Sequence, residues 1–329
     1  MSDRSPETLL WDFTRGALMT RALAIAADLR IADALADGPR DVFDLAGTVD
    51  ADALTLQRFL RALASDGVFA EQEQGVFSNT AASELLQGRG WPESARLFGG
   101  VLYRAVSDLD RAVRSGTATF DETFGADFWS WLADHPDERA NFDAAMAGGK
   151  EGSADRLAEL EWRDDEVVVD VGGGNGALLV ALLRRRPRLR GIVVDLPETE
   201  RDESSLGERI AWVEGNFFEQ VPAGDTYVLS AILHDWDDEH ASAILRVIRT
   251  AAPQGARLVL IESVIASGNE PQGTKWLDLV MLVIGGRERT EAEWRALVEP
   301  CGFHIERIED GLIEASVTVA DGDRRHKQE

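Results

Sequence analysis

The sequence predicts an α/β protein, with a mostly parallel sheet covered by helices on both faces and a largely helical domain ahead of it. Three observations carry that expectation. Past residue 166, short and nearly all-apolar runs alternate with helical stretches, the pattern of strands buried on both faces. The first of those runs feeds a glycine-rich turn, Asp170-Val171-Gly172-Gly173-Gly174-Asn175-Gly176. Residues 8–80 follow a different order, helix-helix-helix and then a small hairpin.

In chain order, residues 8–36 place apolar side chains at three-to-four spacing (Leu9, Phe13, Leu18, Ala22, Ile25, Leu29, Leu35), which reads as two helices broken near 28–31. Gly38-Pro39 stops the second. A short helix over 42–47, a longer one over 53–66 and two short strands within 67–78 complete a winged-helix grammar. From 83 to 160 the helical pattern continues, rich in aromatics and interrupted by the turn Asp134-His135-Pro136-Asp137. Strands are expected over 166–171, 190–196, 226–233 and 257–261, with helices over 177–186 and 239–252. Runs at 303–308 and 313–320 are separated only by a turn and should pair antiparallel at an edge. The seam between the two parts is expected near 145–165, and the tail 321–329 is expected to fray.

Composition narrows the function. The chain has 329 residues, 44% of them hydrophobic, enough for about two domains with full cores. Asp and Glu number 59 against 34 Lys and Arg, a formal net charge of -25. Such a surface repels phosphate backbones and anionic lipid, so nucleic acid and membrane surfaces are not expected as partners. No apolar run reaches the roughly 18 residues of a bilayer crossing, and residues 1–15 lack a basic-then-apolar signal pattern; a cytoplasmic protein is expected. Cys301 stands alone, which excludes an internal disulfide and a multi-cysteine metal site.

The glycine turn lets backbone N–H groups approach a ligand at the switch point of a sheet. Gly172, Gly174 and Ala177 satisfy G-x-G-x-x-A, and on that motif alone a nicotinamide enzyme and an S-adenosylmethionine (AdoMet) enzyme are not separated. Asp195, nineteen residues past Gly176, suits the ribose of either. Asp170 favours AdoMet, because a carboxylate beside the loop repels a pyrophosphate and attracts a ligand with an ammonium and a sulfonium. His234, in LSAILHDWDDE, falls at the carboxyl end of an apolar strand, where ligands of open α/β sheets bind. The same segment offers His240, Asp235, Asp237 and Asp238 at spacings that suggest a metal. Asp237-Asp238-Glu239 is better read as a helix start, with carboxylates favoured at its N-terminus, so no metal is expected.

With DVGGGNG at 170–176, HDW at 234–236 and GGRERT at 285–290, the chain resembles the class I AdoMet-dependent O-methyltransferases of the plant caffeate and bacterial polyketide type. The resemblance covers essentially the whole sequence. It implies a winged-helix-like, otherwise all-helical dimerisation domain at 1–95 and connecting helices at 96–160 that contribute to the acceptor pocket. Residues 161–329 would form a Rossmann-like methyltransferase domain with a mostly parallel seven-stranded sheet. It implies His234 as general base, flanked by Glu262 and Glu288. Asp170, Gly172 and Gly174 would line the methionine end of AdoMet, with Asp195 and Leu196 at the ribose and Ser230 nearby. Asn216, where the family normally has Asp, would bond the adenine amino group through its amide oxygen, and Phe217 would stack on the ring. Lys150 stands where many members carry a serine that touches the cofactor, and is expected to pair with the AdoMet carboxylate. Met146, Phe142, Trp129, Trp236, Trp276, Asp278 and Met281 would meet the acceptor.

The implied reaction is O-methylation of a small aromatic hydroxyl, with a histidine near pKa ~6.5 taking the proton. Only three lysines occur (Lys150, Lys275, Lys327) and alanine is plentiful. That bias of a GC-rich bacterial genome points to a polyketide-derived acceptor in antibiotic or pigment biosynthesis. The implied assembly is a homodimer through the N-terminal helices, with Leu9, Trp11, Phe13 and Leu18 at the interface. Four alternatives stay open. The fold and cofactor could serve a hydroxylation or decarboxylation, or the acceptor could be nitrogen. A winged-helix regulator is disfavoured, because helix 53–66 carries Arg58 and Arg61 but follows Asp50 and Asp52. A nicotinamide oxidoreductase remains the other reading of the glycine motif.

Overall fold

The computed structural model describes residues 5–146, 150–197, 199 and 208–318. The chain divides into two compact units, Met1–Ser107 with Asp134–Gly148, and Asp108–Ala133 with Gly149–Glu329.

In the first unit, Ser5 caps helix Pro6–Asp28, its Oγ accepting the Thr8 N–H at 3.2 Å with Pro6 at the first turn. The break expected near 28–31 is real. Arg30 takes a left-handed φ of 52°, and a new turn, Ile31–Ala34, starts behind it. Asp41 and Asp52 cap helices Val42–Val49 and Ala53–Ser65. Strands β1 (Arg40–Asp41), β2 (Phe69–Glu73) and β3 (Val76–Asn79) form an antiparallel sheet in the order β1-β3-β2. The hairpin was legible; β1 was not, since two residues leave no periodicity. Ile31, Leu45, Leu60, Phe69 and Phe77 make the core of this unit. Helix Trp91–Gly99 lies against helix Pro6–Asp28, with Arg96 Nε 3.2 Å from Asp28 and Arg21 donating to the Gly99 carbonyl at 2.8 Å. The start of the long helix keeps its apolar side chains in the open: Leu10, Trp11 and Leu18 are 68%, 64% and 74% exposed.

The second unit is built on strands β4 (Val167–Val171), β5 (Arg190–Asp195), β6 (Ile210–Glu214), β7 (Thr226–Ser230), β8 (Arg257–Ile261), β9 (Val264–Ile265), β10 (Arg289–Thr290), β11 (Phe303–Glu309) and β12 (Leu312–Val317). Seven of them form one sheet, in the order β11-β12-β8-β7-β4-β5-β6. β4 to β8 run parallel, β12 is antiparallel to β8, and β11 is antiparallel to β12 at the edge. β9 and β10 form a separate parallel pair.

Strict alternation feeds both faces of this sheet. On β7, Tyr227 and Leu229 join one apolar cluster and Val228 the other; on β8, Leu258 and Leu260 oppose Val259 and Ile261. Helix Asp238–Ala251 covers the first face with Ile244, Leu245 and Ile248, and helix Ala177–Arg185 covers the second with Leu178, Leu179 and Leu182.

The strand expected over 226–233 ends at Ser230. Ala231 takes φ 58°, which no β-strand tolerates, and the chain enters a short 3-10 turn, Leu233–Asp235. The strand expected over 313–320 is Leu312–Val317, and residues 319 and 320 lie outside the described set. Because β4 is flanked by β5 on one side and β7 on the other, the connections leave in opposite directions there and open a crevice at the carboxyl ends. Asp195 ends β5, Ser230 ends β7 and Glu262 follows β8. No helix among the described residues is long and apolar enough to cross a membrane.

Candidate active site

Asp170 lies one residue from the end of β4 and is 1% exposed. Its Oδ2 has no hydrogen-bond partner among the described residues. Burial, with Asp195 adding to it and Lys150 opposing, pushes its carboxyl up to about 7. A Cβ on Gly173 would fall 2.7 Å from that Oδ2, so only glycine leaves the carboxylate its room. Gly172 and Gly174 both take positive φ, which turns the backbone sharply after β4. Asp195 steadies the turn, its Oδ2 accepting the Gly174 N–H at 2.7 Å while Oδ1 accepts from Leu196 N and Thr199 Oγ1. Lys150, first residue of helix Lys150–Ala158, brings Nζ to 3.3 Å from Ser230 Oγ and 3.4 Å from its carbonyl. Phe217 packs beside Gly172. Asn216 uses its amide oxygen locally, accepting the Phe218 N–H at 3.0 Å, and its Nδ2 donates to Glu219. The single lone pair left on that oxygen is what an adenine amino group would find.

Beside this cradle, three buried or half-buried carboxylates surround one imidazole. His234 Nδ1 lies 3.0 Å from Glu288 Oε1 and 3.7 Å from Glu262 Oε2, and Nε2 lies 3.4 Å from Asp235 Oδ1. Burial works against the ring's charge, but Asp235, Glu262 and Glu288 outweigh it and push His234 up to about 10. The ordinary imidazole value near ~6.5 therefore does not describe this site, because sequence letters carry no record of how many carboxylates converge. Burial likewise raises Asp235, to about 7, and Glu262. Glu262 Oε1 accepts the Ile232 and Leu233 N–H groups at 3.0 and 2.8 Å, which ties the turn of His234 to β8. Asp278 Oδ1 accepts the Glu288 N–H at 2.8 Å and holds that residue's backbone.

Aromatic rings gather on Trp236, two residues past the histidine. Trp129 stacks on Trp236 at 6.1 Å between centroids, and Phe217 and Phe218 meet Trp236 edge-on. Met281 is buried on helix Thr274–Ile284, while Trp276 on the same helix is exposed at 59%. Met146 and Phe142 sit on helix Pro136–Met146 of the first unit, where Met146 is exposed. Asp237 caps helix Asp238–Ala251 by accepting the His240 N–H at 2.8 Å, the helix-start role read from its sequence.

Three participants escaped the sequence reading. Asp235, weighed in the sequence only as part of a metal-like cluster, faces Nε2. Arg289 is fully buried behind the turn, and Gly286 lies so close that a Cβ there would come 2.2 Å from the His234 carbonyl oxygen. Both belong to GGRERT, whose glutamate alone had drawn a role.

Comparison with known proteins agrees along the chain. A family model described as O-methyltransferase domain matches residues 106–304, and one described as O-methyltransferase dimerisation domain matches residues 11–88. Phenazine O-methyltransferase PhzM of Lysobacter antibioticus is 39% identical over 314 residues, covering 92% of each chain. O-demethylpuromycin-O-methyltransferase of Streptomyces alboniger is 36% identical, covering 92% of this chain and 84% of that one. Among solved structures, the O-methyltransferase NcsB1 from neocarzinostatin biosynthesis, in complex with AdoMet and 2-hydroxy-5-methyl naphthoic acid, is 33% identical. It superposes with a TM-score of 0.77, covering 91% of this chain and 96% of that one.

Proposed function

The chain belongs to the O-methyltransferase family, and from that premise we propose that it methylates a hydroxyl of a small aromatic natural-product intermediate with His234 as proton acceptor. It is an AdoMet-dependent methyltransferase, acts on a small molecule and self-associates. The observation that carries the mechanism is the position of His234, with Glu288 3.0 Å from Nδ1 and Asp235 3.4 Å from Nε2.

The cradle fits the cofactor. A buried Asp170 oxygen without a partner suits an ammonium, and the glycine turn leaves space before it. Asp170, Gly172 and Gly174 would hold the methionine end, Asp195 and Leu196 the ribose, Asn216 and Phe217 the adenine, and Lys150, held at Ser230, the carboxylate. When bound, AdoMet supplies a methyl group already activated by its sulfonium. The protein's task is then alignment and an oxygen nucleophile. Glu288 on Nδ1 fixes the tautomer that leaves the Nε2 lone pair for the acceptor's O–H, and Glu262 with Asp235 stabilises the imidazolium that forms. A base whose conjugate acid titrates at about 10 matches a phenol, also near ~10, so proton transfer between them is close to thermoneutral. Below that pH most of the enzyme already carries the proton, and turnover depends on the neutral fraction or on binding the phenolate directly.

Trp129, Trp236, Met281, Trp276, Met146, Phe142 and Asp278 are proposed as acceptor contacts, Asp278 also supporting Glu288. Residues 1–95 are proposed as the dimerisation domain, 96–160 as connecting helices at the acceptor pocket and 161–329 as the catalytic domain. The exposed face with Leu10, Trp11 and Leu18 supports a homodimer through the N-terminal helices, in a cytoplasmic enzyme. The test is incubation with methyl-labelled AdoMet and a panel of hydroxylated and aminated aromatics, with product structures determined by NMR. Label on a phenolic oxygen is expected. Label only on nitrogen, or an oxidised or decarboxylated product without label, would replace this reading.

A further inference from the structure

The GGRERT segment holds the backbone of the His234 turn as well as its ring. The Arg289 guanidinium is 0% exposed, yet Asp238, the only carboxylate it pairs with among the described residues, is 57% exposed. Most of its donors go to main-chain carbonyls. Nη1 donates to Leu233 O at 2.9 Å and Arg287 O at 3.3 Å, and Nη2 donates to Trp236 O at 2.9 Å. Its planar face lies over Trp294, 5.1 Å from the ring centroid. Arg287 N–H donates to His234 O at 2.8 Å, and Gly286 packs against that oxygen. The carbonyls of residues 233, 234 and 236 are therefore all anchored on residues 287–289, while Glu262 anchors the amides of Ile232 and Leu233.

We propose that Arg289 is a positioning residue for proton transfer: through the Leu233 and Trp236 carbonyls it sets the place of the His234 ring between Glu288 and Asp235. Geometry explains why arginine serves here. One rigid fork spans both the Leu233 and Trp236 carbonyls, and a lysine ammonium, a single point charge, lacks the paired donors to reproduce that fork. Burying a cation is costly unless its donors are satisfied, and here the turn's Leu233 and Trp236 carbonyls share that task with Arg287 O and with Asp238 Oδ1, which accepts from Nε at 2.9 Å. This role rests on the reading of His234 as the base. The charged groups facing the ring are Asp235 on the same turn, Glu262 after β8 and Glu288 before β10. Asp278, on helix Thr274–Ile284, holds Glu288, and Lys150, on helix Lys150–Ala158, acts on Asp235.

The test reads His234 itself and needs no acceptor. Protein labelled with ¹⁵N in its histidine rings, saturated with S-adenosylhomocysteine, is titrated from pH 6 to 10 by long-range proton–nitrogen NMR, and His234 is assigned among the five histidines with His234→Asn. The wild-type ring is expected to stay charged past pH 8. In Arg289→Lys its midpoint is expected to fall by at least one pH unit, and further in Arg289→Met, while the other histidines move by less than about 0.3. Asp238→Asn, which leaves the carbonyl contacts in place, is expected to leave the midpoint where it was. A folded Arg289→Lys or Arg289→Met protein with an unmoved His234 midpoint overturns the proposal. So does an Asp238→Asn protein whose midpoint falls as far, because the effect then belongs to the ion pair. Should Arg289→Met fail to fold, the lysine and Asp238 variants decide. Full turnover by a His234 variant would instead sink the base reading and leave this titration standing.

Discussion

Replacing Asp170 by asparagine is expected to stabilise the cofactor-free protein and weaken cofactor binding, and the stabilisation should depend on pH in a defined way. The carboxyl is 1% exposed, its Oδ2 has no partner, and its pKa is raised from 3.8 to about 7, chiefly by burial. That difference corresponds to about 4 kcal/mol between its two protonation states. Because the folded-state value lies above the unfolded one, both states hold the proton below pH 3.8 and the residue costs nothing. Between there and about pH 7 the unfolded chain releases a proton that the folded protein keeps, so stability falls with rising pH. Above about 7 the full penalty persists. The asparagine variant lacks this term. Its advantage over wild type is expected to be about 1.5 kcal/mol at pH 5 and about 4 kcal/mol at pH 8, less a constant cost for seating the amide. Urea denaturation of both proteins, without ligand, at pH 5 and 8 measures the difference, and the slopes from His234 and Asp235 cancel because both proteins share them. S-adenosylhomocysteine titrated by calorimetry should bind the variant about 10- to 100-fold more weakly, the range for one charge-assisted hydrogen bond. A stability difference identical at both pH values, or unchanged affinity, would refute the assignment of Asp170 to the ammonium.

The remaining predictions concern the histidine, the turn and the N-terminal helix. With a phenolic acceptor, log kcat/KM is expected to rise with pH toward His234's value of about 10; a plateau above pH 7 would contradict the carboxylate-raised base. Glu262→Gln removes one of the raising charges, so the same limb should move to lower pH by about one unit, read from the same profile. Ala231 sits at φ 58°, and Ala231→Gly is expected to raise stability by about 1 kcal/mol or less in urea denaturation, since left-handed backbone strains any residue with a Cβ. Leu10→Asp and Trp11→Asp are expected to convert the proposed dimer to monomer by light scattering. They should change single-chain stability by less than about 0.5 kcal/mol, because both side chains are exposed.

Much of the fold could be read directly because its signals are local. The alternation on β7 and β8, the capping aspartates at 41, 52 and 237, and the DVGGGNG turn are all written within a few adjacent residues. The candidate site was legible only where one residue carries the role. His234, Glu262 and Glu288 come from three separate segments, and the family pattern, not spacing, joined them. The threefold carboxylate surround of His234 could not be read, since it depends on the register of β7 against β8 and on the Gly286 approach. Arg289 was hidden for the same reason: its partners are carbonyl oxygens 53 and 56 positions away, and a carbonyl has no letter. The overrun of β7 to residue 233 failed on Ala231, an alanine in a backbone state that sequence assigns to glycine.

The most direct measurement is single-turnover methyl transfer at saturating AdoMet and pH 8, comparing wild type with His234→Asn on one phenolic acceptor. S-adenosylhomocysteine affinity is checked in parallel. Loss of a positioned proton acceptor predicts a rate about 10²- to 10⁴-fold lower with cofactor affinity unchanged. Wild-type speed in the variant would contradict it.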